Sequence, residues 1–252
     1  MRTIAVIQAR MTSTRLPGKV LMIAAGRPML AHQVERVRRS TELDGIVIAT
    51  TTNATDDPVA EFARSAGVGV FRGSEEDVLG RVHGAAAGEG AELVVRLTGD
   101  CPLIDPEIID RVVDRLRADP PIDYATSGMP RTWPLGLDAE AMTFTALSAA
   151  QREAVDPYDR EHVTPFIYRQ PERFRLASVR SMEDLGRHRW TLDEPADLDL
   201  IRRILDALYS RKPAFGYRDV LDLLAEHPDW SQINAATTQK TRLYEDQART
   251  WS

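Results

Sequence analysis

Three short runs, TIAVIQ at 3–8, IVIATT at 46–51 and ELVVRL at 92–97, are almost wholly apolar and rich in β-branched residues. A strand that faces water on one side alternates apolar and polar residues; a continuous apolar run must be covered on both faces. Segments of helical spacing lie between these runs. From Pro28 onward, Leu30, Val34 and Val37 form one apolar stripe while Glu35, Arg36 and Arg38 turn outward. Asp56 or Asp57, followed by Pro58, opens a second helix that buries Val59, Phe62 and Ala66. Val68–Phe71 reads as a further strand and 76–88 as a helix. Asp105-Pro106 opens another helix, with Ile108, Ile109, Val112, Val113 and Leu116 inward. Four strand–helix pairs in succession predict a mostly parallel α/β sheet with right-handed crossovers and helices on both faces.

The second half changes character after Pro120-Pro121. Residues 122–144 read as two strands joined by SGMPRTWPLG, followed by helices near 145–154 and 159–169 and a strand at 174–179. A helix from Pro195 to Tyr209 carries Leu198, Ile201, Leu205 and Leu208 on one face, and a last helix covers 217–226. From Ser231 the chain turns polar and is expected to fray or pack loosely. The 252 residues contain no internal repeat, and we expect one domain over 1–235, with 122–180 as a small β-containing insertion and 236–252 as a polar tail.

Charge and cysteine content remove several function classes. With 38 acidic against 32 basic residues the net charge is -6, unlike the basic face that sequence-independent nucleic-acid binding needs. One cysteine excludes an intrachain disulfide framework and a Cys-rich zinc module. No apolar run approaches the roughly 20 residues that cross a bilayer. The N-terminus also lacks a secretory pattern, so a soluble cytoplasmic protein is expected.

In a doubly wound sheet, ligands bind beyond the carboxyl ends of the strands. The loop after the first strand carries Arg10, Arg15 and Lys19 among Thr12, Ser13, Thr14 and Gly18. Cations, hydroxyls and exposed backbone N–H groups in that position suit a polyphosphate. The loop is neither a Walker A sequence nor the glycine fingerprint of a dinucleotide-binding dehydrogenase. After the fourth strand, Asp100 in Gly99-Asp100-Cys101-Pro102 suits an Mg²⁺ that also binds phosphate oxygens. Asp193 in Trp190-Thr191-Leu192-Asp193-Glu194-Pro195 reads either as its partner ligand or as the cap of the Pro195 helix. Asp138 and Glu140, two apart, read as hydroxyl binders or a solvent-facing edge, and Arg160 and His162 as contacts to an anionic acceptor or as ordinary capping groups. His32, His83, Cys101 and Trp190 read as structural.

The segments IQARMTSTRLPGKVL, VIATTTNATDDP, VFRGSEEDVLGR, VVRLTGDCPLIDPEIID, GLDAEAMTF, YDREHVTPFIY and HRWTLDEPADLDLI stand in an order and spacing that resemble the spore coat polysaccharide biosynthesis protein F family of cytidylyltransferase-like proteins. That family is related more distantly to the synthetases that activate 3-deoxy-manno-octulosonate and acylneuraminate as CMP-sugar acids. The resemblance runs from the first strand to about Ala235, and it implies a nucleotidyltransferase of Rossmann-like, glycosyltransferase-A-like architecture. It implies that Arg10 and Lys19 hold the triphosphate of CTP, that Asp100 and Asp193 ligate Mg²⁺, and that the enzyme is a homodimer built through the region that includes 122–144.

The expected reaction is attack of a small-molecule acceptor's oxygen on the α-phosphorus of CTP, with Arg10, Arg15 and Lys19 stabilising the departing pyrophosphate. Ala9, through backbone groups, and Ser13, Ser74 and Asp77 are the further expected nucleotide contacts. The middle region lacks a recognisable sugar-acid pattern, and acceptor contacts are expected from Asp138, Glu140, Arg160 and His162. Two rival readings are a nucleotide-sugar-dependent glycosyltransferase of the same fold and a non-catalytic nucleotide-binding subunit. The RLPGK loop speaks against the first, and the presence of Arg10, Lys19, Asp100 and Asp193 against the second.

Overall fold

The apolar runs become strands β1 (Thr3–Gln8), β2 (Gly45–Thr51), β3 (Gly69–Gly73) and β4 (Leu93–Thr98), separated by α1 (Met29–Val37), α2 (Asp57–Ser65) and α3 (Val78–Gly88). Next come α4 (Pro106–Arg117), β5 (Tyr124–Thr126), β6 (Glu140–Thr143), α5 (Phe144–Glu153), α6 (Pro157–His162) and α7 (Pro165–Tyr168). The last elements are β7 (Leu176–Ser178), α8 (Pro195–Tyr209) and α9 (Tyr217–Glu226). This computed structural model describes residues 1–119 and 121–237, so the expected tail lies outside the described residues from 238 onward.

The seven strands form one sheet in the order β3-β2-β1-β4-β6-β5-β7, parallel throughout except for β6, which runs against both neighbours. The pleat sends alternate residues of β1 to opposite faces. Ala5 and Ile7 join a core covered by α1, α2, α4, α8 and α9, whereas Ile4 and Val6 join a second core under α3, α5 and α7. All four are fully buried, as a strand without alternation requires. The α4 stripe is buried as its spacing predicts, and Asp105 caps the helix by accepting the Glu107 N–H at 2.9 Å. Among the described residues no helix is long and apolar enough to cross a membrane.

Several expectations are corrected. A two-stranded hairpin, Ile23–Ala24 with Arg27–Pro28, precedes α1, and the helix proper starts at Met29. On α2 the buried stripe is Val59, Ala60 and Ala63, with Phe62 and Ala66 at its margin. The helix expected over 159–169 is broken at Val163, whose φ of 73° no helix accommodates, so Arg160 and His162 sit in the last turn of α6 rather than at a helix start. On α8 the buried face is Leu200, Ile201, Ile204 and Leu205, with Leu198 and Leu208 at its margin. The chain after Ser231 does not fray at once: Asn234 is buried and donates to Arg189 O and to Asp197. The two strands expected over 122–144 are β5 and β6, which lie inside the sheet, and β7 ends it.

The segment 134–137 lies alongside 188–190 in a parallel bridge between Leu135 and Arg189. Leu135 N–H donates to His188 O at 2.9 Å, and Trp190 N–H donates to Leu135 O at 2.6 Å. Gly136 allows that approach: its φ is +106°, and a Cβ there would lie 2.5 Å from the Trp190 carbonyl carbon. Gly136→Ala should therefore destabilise the fold by about 3 kcal/mol, read by urea unfolding against a Gly88→Ala control, where a Cβ meets nothing within 4 Å.

Candidate phosphate and metal site

β1 and β4 are neighbours, so the loops that leave their carboxyl ends start side by side. Gly99 N–H donates to Gln8 O at 2.8 Å, and a Cβ on Gly99 would come within 2.9 Å of that same oxygen, which is why a glycine opens the second loop. The first loop closes on itself through Gly18 N–H to Met11 O at 2.9 Å, with Gly18 at a φ of 72°. A 3₁₀ turn (Lys19–Leu21) then directs Lys19 inward. Asp56 does not cap α2 with its side chain. It is fully buried and accepts the Met11 N–H at 2.6 Å and the Thr51 N–H at 3.2 Å, pinning the loop after β1 to the end of β2.

Asp193 arrives from much farther along the chain. The Asp100 carbonyl accepts the Leu192 N–H at 2.8 Å and the Thr191 hydroxyl at 3.2 Å, which binds the two acidic loops to each other. Glu194, not Asp193, is the N-cap of α8. Behind the loop, the fully buried Asp197 accepts the backbone N–H groups of Asp193 (3.0 Å) and Glu194 (2.9 Å) and a two-pronged contact from Arg189 at 2.8 and 2.7 Å. The Asp193 carboxylate is thereby left to the site.

Lys19 joins the two acids. Its Nζ lies 3.0 Å from Asp100 Oδ2 and 2.8 Å from Asp193 Oδ1. Arg15 reaches the other Asp193 oxygen at 2.9 Å and Glu194 at 3.3 Å, and Arg10 pairs with Glu75 at 2.9 Å. Burial disfavours a charged Lys19, but the two carboxylates outweigh it and hold its pKa above the ordinary 10.5. Burial likewise opposes charge on Asp100, and the ammonium outweighs that, drawing the carboxyl from 3.8 down to about 2. Burial pushes the neighbouring Cys101 thiol well up, and Asp100 adds to the effect, so it stays protonated and unreactive.

These groups line a cavity of about 440 Å³. Ala9, Arg10, Ser13, Arg15, Lys19, Asp100 and Asp193 all border it, as do Asp138, Glu140 and His162. Ser74, Asp77 and Arg160 stand outside its lining: Asp77 caps α3 through the Gly80 N–H at 2.8 Å and pairs with Arg160, tying α3 to α6. Asp138 precedes β6 and pairs with Arg131 at 2.8 Å. Glu140 accepts Thr164 Oγ1 at 2.7 Å and Tyr124 OH at 2.5 Å, and it also pairs with Arg96. His32 and His83 are structural, bonded to Ala24 O at 2.8 Å and Ser148 Oγ at 3.1 Å. Trp190 is core, 1% exposed.

Sequence reading missed Arg81, Arg96, Arg131 and Arg189, which also line the cavity, and Asp197 behind it. Arg96 carries a signal, a lone charge within a buried strand; the others look like ordinary surface arginines until the chain is folded. Asp100 and Asp193 offer only oxygen donors, and among the described residues no group of three or more His, Cys, Asp or Glu forms a metal cage. Two carboxylates that need phosphate oxygens or waters to complete a shell fit Mg²⁺.

The depressed Asp100 carboxyl gives a pH signature. Its ion pair with Lys19 stabilises the fold above its ordinary value of 3.8, and that contribution disappears as the pH falls toward about 2. Asp100→Asn should be less stable than wild type by up to about 2 kcal/mol above that window, with the gap closing within it, as measured by urea unfolding at a series of pH values.

Residues 4–247 match the cytidylyltransferase family. The spore coat polysaccharide biosynthesis protein SpsF of Bacillus subtilis is 35% identical over 234 residues, 89% of this chain and 94% of that protein. A 3-deoxy-manno-octulosonate cytidylyltransferase of Geobacter sulfurreducens is 38% identical over 128 residues, half of each chain. The solved structure of a cytidylyltransferase from Leptospira borgpetersenii superposes with a TM-score of 0.87 at 33% identity, covering 95% of this chain and 99% of that one. A cation-rich loop and an acidic pair meet at the carboxyl edge of the sheet in a chain that matches such proteins over nearly its whole length, and the chain belongs to the cytidylyltransferase family.

Proposed function

We propose that this cytidylyltransferase moves CMP from CTP to the oxygen of a sugar, sugar-acid, phosphate or phosphonate acceptor, with Mg²⁺ and release of pyrophosphate, in polysaccharide or glycoconjugate biosynthesis. The observation that carries the reading is the meeting of Arg10, Arg15 and Lys19 with Asp100 and Asp193 on one cavity. In-line displacement at phosphorus asks the protein for position and charge neutralisation. The three cations lie where a triphosphate leaving the end of β1 would meet them, and they would stabilise the negative charge that builds on departing pyrophosphate. Mg²⁺, held by Asp100 and Asp193, would supply charge neutralisation at the phosphates and polarise the attacking oxygen.

The acceptor would enter over β5 and β6. Asp138 and Glu140 already hold internal partners, so they shape that wall and offer their remaining lone pairs to hydroxyls, while His162 borders the entrance. The working species would be a cytoplasmic homodimer, which analytical ultracentrifugation tests by mass.

Incubation with CTP, Mg²⁺ and a panel of sugars, sugar acids and phosphonates should release pyrophosphate with at least one acceptor. Asp100→Asn should lower kcat/KM at least about 100-fold, or roughly 3 kcal/mol of transition-state stabilisation. Undiminished turnover in that variant would remove Asp100 from the reaction.

A further inference from the structure

The Lys19 ammonium stands where a divalent cation would have to stand. Its Nζ is 3.0 Å from Asp100 and 2.8 Å from Asp193, and its side chain is only 10% exposed. An ammonium and a divalent ion repel each other, so one carboxylate pair at this spacing holds one or the other, not both. A buried ammonium is also costly without an anion, so Lys19 leaves the pair only when another anion receives it. The rest of the loop is in the same condition: Arg15 is engaged by Asp193 and Glu194, and Arg10 by Glu75. Each cation of this loop has a carboxylate partner within the protein. Lysine suits exchange better than arginine, since it is a compact charge on a flexible stem with no planar fork to realign.

We propose that Lys19 is an exchangeable counter-ion: without nucleotide it holds Asp100 and Asp193 and keeps a divalent cation out, and a triphosphate that draws Lys19 to itself frees the pair for the metal. This rests on the triphosphate reading of the loop and adds an order to it, in which metal and triphosphate enter together. The coupling is reciprocal, because a metal that takes over the carboxylate pair makes the transfer of the Lys19 ammonium to the triphosphate more favourable.

Mn²⁺ binding to nucleotide-free protein, followed by electron paramagnetic resonance near neutral pH, tests the exclusion. Lys19→Met should bind Mn²⁺ about tenfold more tightly than wild type, and Lys19→Arg should bind no more tightly than wild type. Equal affinity in wild type and Lys19→Met, or tighter binding by wild type, overturns the proposal. A second arm leaves Lys19 in place. In EDTA, inorganic tripolyphosphate titrated by calorimetry should bind about fivefold more tightly to Asp100→Asn combined with Asp193→Asn than to wild type. Glu161→Gln, which removes another carboxylate that lines the cavity, should leave that affinity unchanged. No gain in the double variant, or the same gain in Glu161→Gln, overturns the exchange. Both arms read binding without turnover. Lys19 exchange in a protein that releases no pyrophosphate from CTP would support the exchange and count against the activity alone.

Discussion

One buried ammonium between two carboxylates is the contact on which the candidate site depends. Lys19 lies 81 residues from Asp100 and 174 from Asp193, yet a single Nζ bonds to both. Away from bulk water the pairing is strong, and removing Lys19 would leave Asp100 without its cation. Chain connectivity brings none of the three together. Hydrogen bonds from Gly99 to Gln8 and from Leu192 to Asp100 do so, and they set the loops in place before any ligand contributes.

The wall of the cavity follows the same rule. Arg96 pairs with Glu140 across two strands, and Arg131 with Asp138 and Arg189 with Asp197 within a loop or at a helix start, so each arginine has its own carboxylate. Tyr124 and Thr164 complete the Glu140 cluster, and the break at Val163 places Thr164 beside it. Polar groups fixed by their neighbours present oriented dipoles to a ligand with little reorganisation, the condition under which electrostatic stabilisation is most effective.

Legibility in the sequence differed by element for physical reasons. β1, β2 and β4 could be read because burial on both faces leaves an unbroken apolar run, and the α4 stripe because burial on one helical face leaves a period in the residues themselves. The hairpin at 23–28 could not, since two-residue strands carry no period. Nor could the split between α6 and α7, where a non-glycine residue takes a positive φ that its neighbours impose. Arg10, Lys19 and Asp100 were visible as chemistry placed directly after strands. Asp193 remained double, ligand or cap, until Glu194 was seen to take the cap. Asp77 and Arg160 pair with each other between α3 and α6, and the Ser74 hydroxyl accepts the Asp77 N–H at 3.4 Å.

The residues alone determined a doubly wound α/β sheet, its carboxyl edge as the place for a candidate site, and the two loops that bring Arg10, Arg15, Lys19 and Asp100 to the cavity, because strand burial and loop composition are local properties. Only the tertiary structure settled which carboxylate meets which cation, that β5, β6 and β7 extend the same sheet, and that Asp197 stands behind Asp193. The ion pairs and the strand neighbours join groups far apart along the chain. Their partners are chosen by packing and by the cost of leaving a buried charge alone, and neither is written in any one stretch of residues.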